Sequence, residues 1–207
     1  GAANNWVPLK DVKRHLANPS ERDVTDALRA GGELEGELVI QVIGLLVAAY
    51  ETTIGLISNG LLAFIKNPEQ RKILRQRENL LPNAIDECLR YDAPVVFNWR
   101  VVKESVTLGN KTLPADSVVW LMLGAGNRDP AQFPNPDTFD ITRSNIKHLA
   151  FGGGPHFCLG NQFARAEGVA AIGQFLNKAP EIKLAATGVE WSDSFFRVLK
   201  HLPVEFY

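Results

Sequence analysis

The stretch "ELEGELVIQVIGLLVAAYETTIGLISNGLLAFIKNP", from Glu33 to Pro68, constrains the fold more than any other part of the chain. About 30 of its residues suit one unbroken helix that stops at Asn67-Pro68, a rod of roughly 45 Å at 1.5 Å per residue. Its centre is apolar all round, and a helix without a polar face is buried on every side. The rod, at about 35–66, is therefore expected to run through the middle of the molecule.

The segments around it predict what wraps the rod. Ser20 ahead of "ERDVTDALRA", stopped by Gly31-Gly32, reads as a short capped helix. "PEQRKILRQRENL" and "PNAIDECLRYD" read as two more, each with proline in its first turn, the second over about 82–91. Next, "VVFNWRVV", "SVTLGNKTLP" and "SVVWLML" are β-branched and aromatic runs with a hairpin signal at Gly109-Asn110, so one small sheet is expected. Pro130, Pro134 and Pro136 punctuate a coil from Asn127 to about Lys147. In "NQFARAEGVAAIGQFLNKA", Phe163, Ala166, Val169, Ile172 and Leu176 fall close to helical spacing and predict a helix over about 161–178. The fold class is mainly α with a small β-sheet, α+β.

Charge excludes some partners. Lys and Arg number 22 against 23 Asp and Glu, so no basic field suits nucleic acid and no polybasic arm suits an anionic membrane. The apolar run from Leu38 to Tyr50 is interrupted by Gln41 and falls short of the about 20 residues that cross a bilayer, so no membrane span is expected. Cys88 and Cys158 cannot make a disulfide framework and nothing resembles a signal peptide, which predicts a cytoplasmic protein. The chain opens on Gly1 rather than Met, as either an artificially added terminus or a piece of something longer would.

The chemistry gathers at "AFGGGPHFCLG", residues 150–160. Glycine lets main chain approach a ligand without a Cβ in the way, so Gly152, Gly153 and Gly154 suggest something large and flat beside Cys158. Standing at a helix N-terminus, Cys158 has unpaired N–H groups and the helix dipole to favour an anionic sulfur as a ligand. Such a sulfur can hold haem iron and push electron density toward dioxygen. A structural or reactive free cysteine is the plainer alternative. Zinc is poorly supported, because the chain has two cysteines and His156 is not at a recognised ligand spacing from Cys158.

The series Phe151, Gly152, Gly154, His156, Cys158, Leu159 and Gly160 resembles the cysteine-ligand loop of the cytochromes P450, the haem-thiolate monooxygenases. Three further stretches resemble the same family in the same order. In "AAYETT", Ala48 to Thr53, an acid and a hydroxyl interrupt the apolar helix, where buried polar groups are costly unless they serve water or ligand. The resemblance implies that Glu51 supplies or routes protons and that Thr52 donates a hydrogen bond on the oxygen-binding side. By itself, Thr52 could equally bond back toward the carbonyl of Ala48 and bend the helix. The family usually carries glycine where this chain has Ala49.

Glu87 and Arg90 in "ECLR" share a helix face, and by themselves would most often be a surface ion pair worth little. The resemblance makes them a structural pair tied to the proline-rich coil through a third, basic residue. Thr138 stands where that arginine is common, with Arg128 and Arg143 as candidate substitutes. Arg100, ending "VVFNWR", matches the family's propionate-binding arginine, and His156 would contact a propionate too. Ala48, Val95, Val96 and Phe97 would face an organic, mostly apolar substrate. Cys88 reads as a core thiol beside Leu89.

Taken over residues 1–207, the chain resembles the C-terminal, haem-ligating portion of one P450-like domain, with the family's N-terminal portion absent. The implied cofactor is haem b, with Cys158 as metal ligand and Arg100, Phe151, Gly152, Gly154, His156 and Gly160 around the group. The implied reaction inserts one atom of dioxygen into a small organic substrate, with electrons from a ferredoxin or flavoprotein. Two other classes compete: a haem-binding sensor or carrier, and a catalytically silent partner that activates another enzyme. The apolar rod adds one more expectation, that a second chain or an unseen first half covers what these residues cannot.

Overall fold

The computed structural model describes residues 35–179 and 181–206; the short helix expected after Ser20 lies outside them. The chain divides into two compact units, Gly1–Tyr50 and Glu51–Tyr207. Helix α1, Glu35–Lys66, begins in the first and ends in the second. In the first unit, Leu38 is buried, while Ile40, Leu46 and Tyr50 are 72%, 48% and 68% exposed. In the second, α1 is buried from Gly55 to Leu56 and again from Asn59 to Ile65. Within the second unit, the later turns of α1 are covered by that unit's other elements.

Gly36–Lys66 runs 31 residues, holds an 18-residue window with a mean hydropathy of 1.7, and is, by length and composition, long and apolar enough to cross a membrane. This corrects the shorter span counted at Leu38–Tyr50. A core helix of a soluble protein meets the same measure, and the turns from Asn59 to Ile65 pack against protein.

Those later turns form the core with α3, Leu81–Tyr91, and α5, Asn161–Lys178. Close approach depends on a small residue. A Cβ at Gly60 would lie 2.8 Å from Ile172 Cδ1 and 3.1 Å from Cys88 Sγ, so α1 can touch both other helices only with glycine there. Helix α2, Pro68–Gln76, stops at Arg77 and a 3-10 turn, Glu78–Leu80, precedes α3. Proline opens α2 and lies in the first turn of α3, where its missing N–H costs nothing.

The single small sheet is corrected to four separate two-stranded antiparallel ladders. Strand β1, Asn98–Val101, pairs with β4, Val118–Leu121, while β2, Val106–Leu108, and β3, Lys111–Leu113, form the hairpin expected at Gly109. Pro114, which cannot donate to a ladder, and Asp116 at φ 63° turn the chain between β3 and β4 and keep the two ladders apart. A short helix, α4, Leu123–Gly126, follows β4. Near the C-terminus, β5, Ile182–Leu184, pairs with β8, Val204–Phe206, and β6, Glu190–Trp191, with β7, Leu199–His201.

Helix α5 also departs from its expected face. It buries Gly168, Ile172 and Leu176, but Phe163 is 76% exposed. Periodicity marks apolar positions without saying what covers them, and Phe163 lies open while Ala164 beside it packs against the core.

Candidate functional site

Glu87 and Arg90 are fully buried, not a surface pair. Arg90 Nε and Nη2 donate to the two oxygens of Glu87 at 2.7 and 2.8 Å. Its remaining N–H groups reach the carbonyls of Asn127, Pro136 and Thr138 at 3.0, 2.8 and 3.0 Å, so the guanidinium is saturated. Glu87 also accepts from the Asp140 N–H at 2.9 Å and from Arg143 Nε at 3.2 Å. Arg143 is therefore the third basic residue; Arg128 pairs instead with Asp137 and the Tyr91 carbonyl. A buried ion pair needs this much bonding to offset its desolvation, and the bonds fix the proline-rich coil to α3. Burial, and then the adjacent Glu87 charge, push the Cys88 thiol far up, leaving it an inert core group.

The coil leads into the cysteine loop. Gly152 and Gly154 hold φ of 68° and 66°, the left-handed region that glycine alone enters without strain. They bend the chain through the 3-10 turn Gly154–His156, so that the Cys158 N–H donates to the Phe151 carbonyl at 2.9 Å. Phe151 is buried in the core and Cys158, a free thiol, packs half-buried against the same cluster as Leu56, one turn beyond Thr52 on α1. The loop's other side is bare. An added Cβ at Gly153, Gly154 or Gly160 would meet nothing within 4 Å, and Phe157, Leu159 and Phe163 are 50%, 84% and 76% exposed.

These features fit a haem. The bare glycines and exposed apolar side chains suit a flat hydrophobic group. Among the described residues no three His, Cys, Asp or Glu side chains gather as a metal site, so an iron at Cys158 would take its other ligands from a macrocycle. The clefts of about 70 Å³ beside Leu74 and Gly173, and about 390 Å³ beside Gly188 and His201, do not border Cys158. The ligand side of the loop is an open face.

The other expected site residues are distributed around the second unit, with Ala48 exposed on the first unit's part of α1. Glu51 Oε2 accepts from Ser194 Oγ at 3.1 Å. Thr52 is half-buried on the same helix. Val95, Val96 and Phe97 are half-buried ahead of β1; the Val96 carbonyl accepts from the Gly124 N–H, and Phe97 stacks edge-on against Trp120 and Phe195. Arg100 Nη1 donates to the Trp99 carbonyl at 2.7 Å, and His156 is exposed.

Sequence reasoning passed over a cluster behind the loop. Asp86 Oδ1 accepts from Arg165 Nε at 2.8 Å and lies 3.2 Å from His148 Nε2. Partial burial raises the Asp86 carboxyl, but hydrogen bonds from His148 and Arg165 outweigh this and hold it below the usual aspartate value. No spacing rule reveals a group joined from three distant segments.

Known structures share this fold. P450BioI, solved in complex with a hexadec-9Z-enoic acid ligated acyl carrier protein, aligns with a TM-score of 0.88 at 39% identity, covering 96% of this chain and 52% of that one. The class is that of the haem-thiolate proteins. Within it, the chain belongs to the cytochrome P450 family, whose model, described as Cytochrome P450, matches residues 8–178. It is 44% identical over 184 residues to cytochrome P450 107B1 of Saccharopolyspora erythraea, covering 86% of this chain and 45% of the relative. It is 41% identical over 203 residues to the biotin biosynthesis cytochrome P450 of Bacillus subtilis, covering 96% and 50%. The chain spans about half the length of the curated relatives it matches.

Proposed function

We propose that this chain is the haem-carrying portion of a monooxygenase that inserts one oxygen atom of dioxygen into a small, mostly apolar organic substrate, with electrons from a ferredoxin or flavoprotein. The observation that carries the reading is Cys158, a free thiol on a glycine-bent loop whose outer side is open to a flat ligand. When bound, a thiolate-ligated haem b supplies the reduction of dioxygen. Cys158 offers the anionic sulfur, Phe151 backs the loop, and Arg100 and His156 bind the carboxylates of the group. Glu51, whose Oε2 accepts from Ser194, supplies or routes protons along α1, and Thr52 presents a hydroxyl donor on the next residue. Val95, Val96 and Phe97 form an apolar wall for the substrate. An intact Glu51-Thr52 pair and the family relatives favour this enzyme over a haem carrier or a silent partner. A cytoplasmic place for it rests on the likeness to bacterial relatives.

Thr52→Ala in the full-length enzyme is expected to keep haem but divert reducing equivalents to peroxide. Product formed per equivalent consumed is the measurement, and an unchanged ratio would return Thr52 to a helix-bending role.

The exposed faces of the structure point to a covering partner. Ile40, Leu46 and Tyr50 on α1, and Trp99 and Trp120 on the β1–β4 ladder, are each about half exposed or more, and exposed apolar clusters of this kind mark interaction surfaces. In the working enzyme, further polypeptide of the same or a second chain covers them. Residues 1–207 alone are expected to self-associate and bind an apolar dye in sedimentation and fluorescence assays. A haem-loaded monomer with cooperative unfolding and no dye binding would contradict this.

A further inference from the structure

We propose that Asp86 is a positioning residue for the Cys158 loop, holding both of its ends through His148 and through the Arg165–Asn161 pair. At the entry, the Ala150 N–H donates to His148 Nδ1 at 3.2 Å, so the ring proton sits on Nε2 and is donated to Asp86. At the exit, Arg165 Nε donates to the same Asp86 oxygen, and its Nη1 donates to Asn161 Oδ1 at 3.0 Å. That bond fixes the orientation of the Asn161 amide, whose Nδ2 donates to the carbonyl of Cys158 itself at 2.8 Å. Arg165 also lies over the Phe151 ring at 4.7 Å, and Phe151 accepts from the Cys158 N–H. One carboxylate on the helix of the buried Glu87–Arg90 pair thus reaches the segment before the glycines and the helix turn after the sulfur.

The consequence is orientation. With glycines at positions 152–154 and 160, the loop has little stiffness of its own, and among the described residues nothing lies within 4 Å of a Cβ built at Gly153, Gly154 or Gly160. The direction of the sulfur is then set from behind, by donors whose own geometry Asp86 fixes. His148 is nearly inaccessible at 2% side-chain exposure, and Asp86 and Arg165 are mostly covered, so water competes weakly for these bonds.

The inference rests on the reading of Cys158 as the iron ligand, and the experiment separates the two. In the full-length holoprotein, Asp86→Asn and Asn161→Asp keep side-chain volume while weakening the anchor or removing the donor to the Cys158 carbonyl. Each is expected to speed the loss of the thiolate-type Soret band of the reduced, carbon-monoxide-bound protein about tenfold, the scale of one charge-assisted hydrogen bond. The double variant should be little worse than Asp86→Asn alone, because Asn161 acts through the exit arm that Asp86 already anchors. Asp86→Glu, which keeps the charge, should restore most of the lifetime. If Asp86→Asn fails to fold, Asn161→Asp, remote from the Glu87 cluster, still reads the effect. Band lifetimes at the parent value in Asn161→Asp, or additive losses in the double variant, would overturn the proposal. Retention of the band in Cys158→Ser would instead overturn the ligand assignment.

Discussion

Arg90→Ala is expected to cost about 3–5 kcal/mol, the penalty for leaving a buried charge without its partner. Against a total stability of about 5–15 kcal/mol, that is enough to unfold much of the population. The loss goes beyond one ion pair, because Arg90 also holds three backbone carbonyls of the coil, at Asn127, Pro136 and Thr138. Arg90→Lys should rescue little, since an ammonium cannot supply a planar fork to Glu87 and reach those carbonyls together. Arg143→Ala should cost less, about 1.5–3 kcal/mol, because its bond to Glu87 is longer and its side chain is partly exposed. Urea unfolding of the full-length variants measures all three. An Arg90→Ala variant within about 1 kcal/mol of the parent would show that the buried pair is not what holds the coil.

That cluster shows what a sequence can and cannot say. The spacing of Glu87 and Arg90 predicted a shared helix face, and the proline pattern predicted the coil. The contacts between them run to backbone carbonyls, which every residue carries, so no residue type announces them. The choice between Arg128 and Arg143 stayed open for the same reason. It is decided by turns of the coil, with Asn135 at φ 49°, that bring Arg143 back to Glu87.

The helices were legible because proline stops and apolar periodicity are local. Residues 35–66 form one rod as expected, yet Ile40, Ile43, Leu45, Leu46, Tyr50 and Ile54 on it are exposed, because burial depends on what else is present. Phe163 was misplaced on the core face for that reason, and three β-rich runs did not reveal that they pair as separate ladders. In the site, Cys158 stood out through its glycines and its loop pattern. Asp86, His148, Arg165 and Ser194 did not, since each acquires a partner from far along the chain.

Replacing Cys158 with serine is expected to produce the largest change of all, loss of the thiolate ligand itself. A serine hydroxyl is not anionic near neutral pH and binds iron poorly, whereas the loop and helix entrance that present the sulfur would remain. Cys88→Ala serves as the control, because that thiol is buried among Gly60, Leu89 and Ile172 and faces no ligand. The decisive measurement is the spectrum of the reduced, carbon-monoxide-bound full-length protein. The account predicts a thiolate-type Soret band in the parent and in Cys88→Ala, and its disappearance in Cys158→Ser. An imidazole-type band in the parent, or an unchanged band in Cys158→Ser, would contradict it.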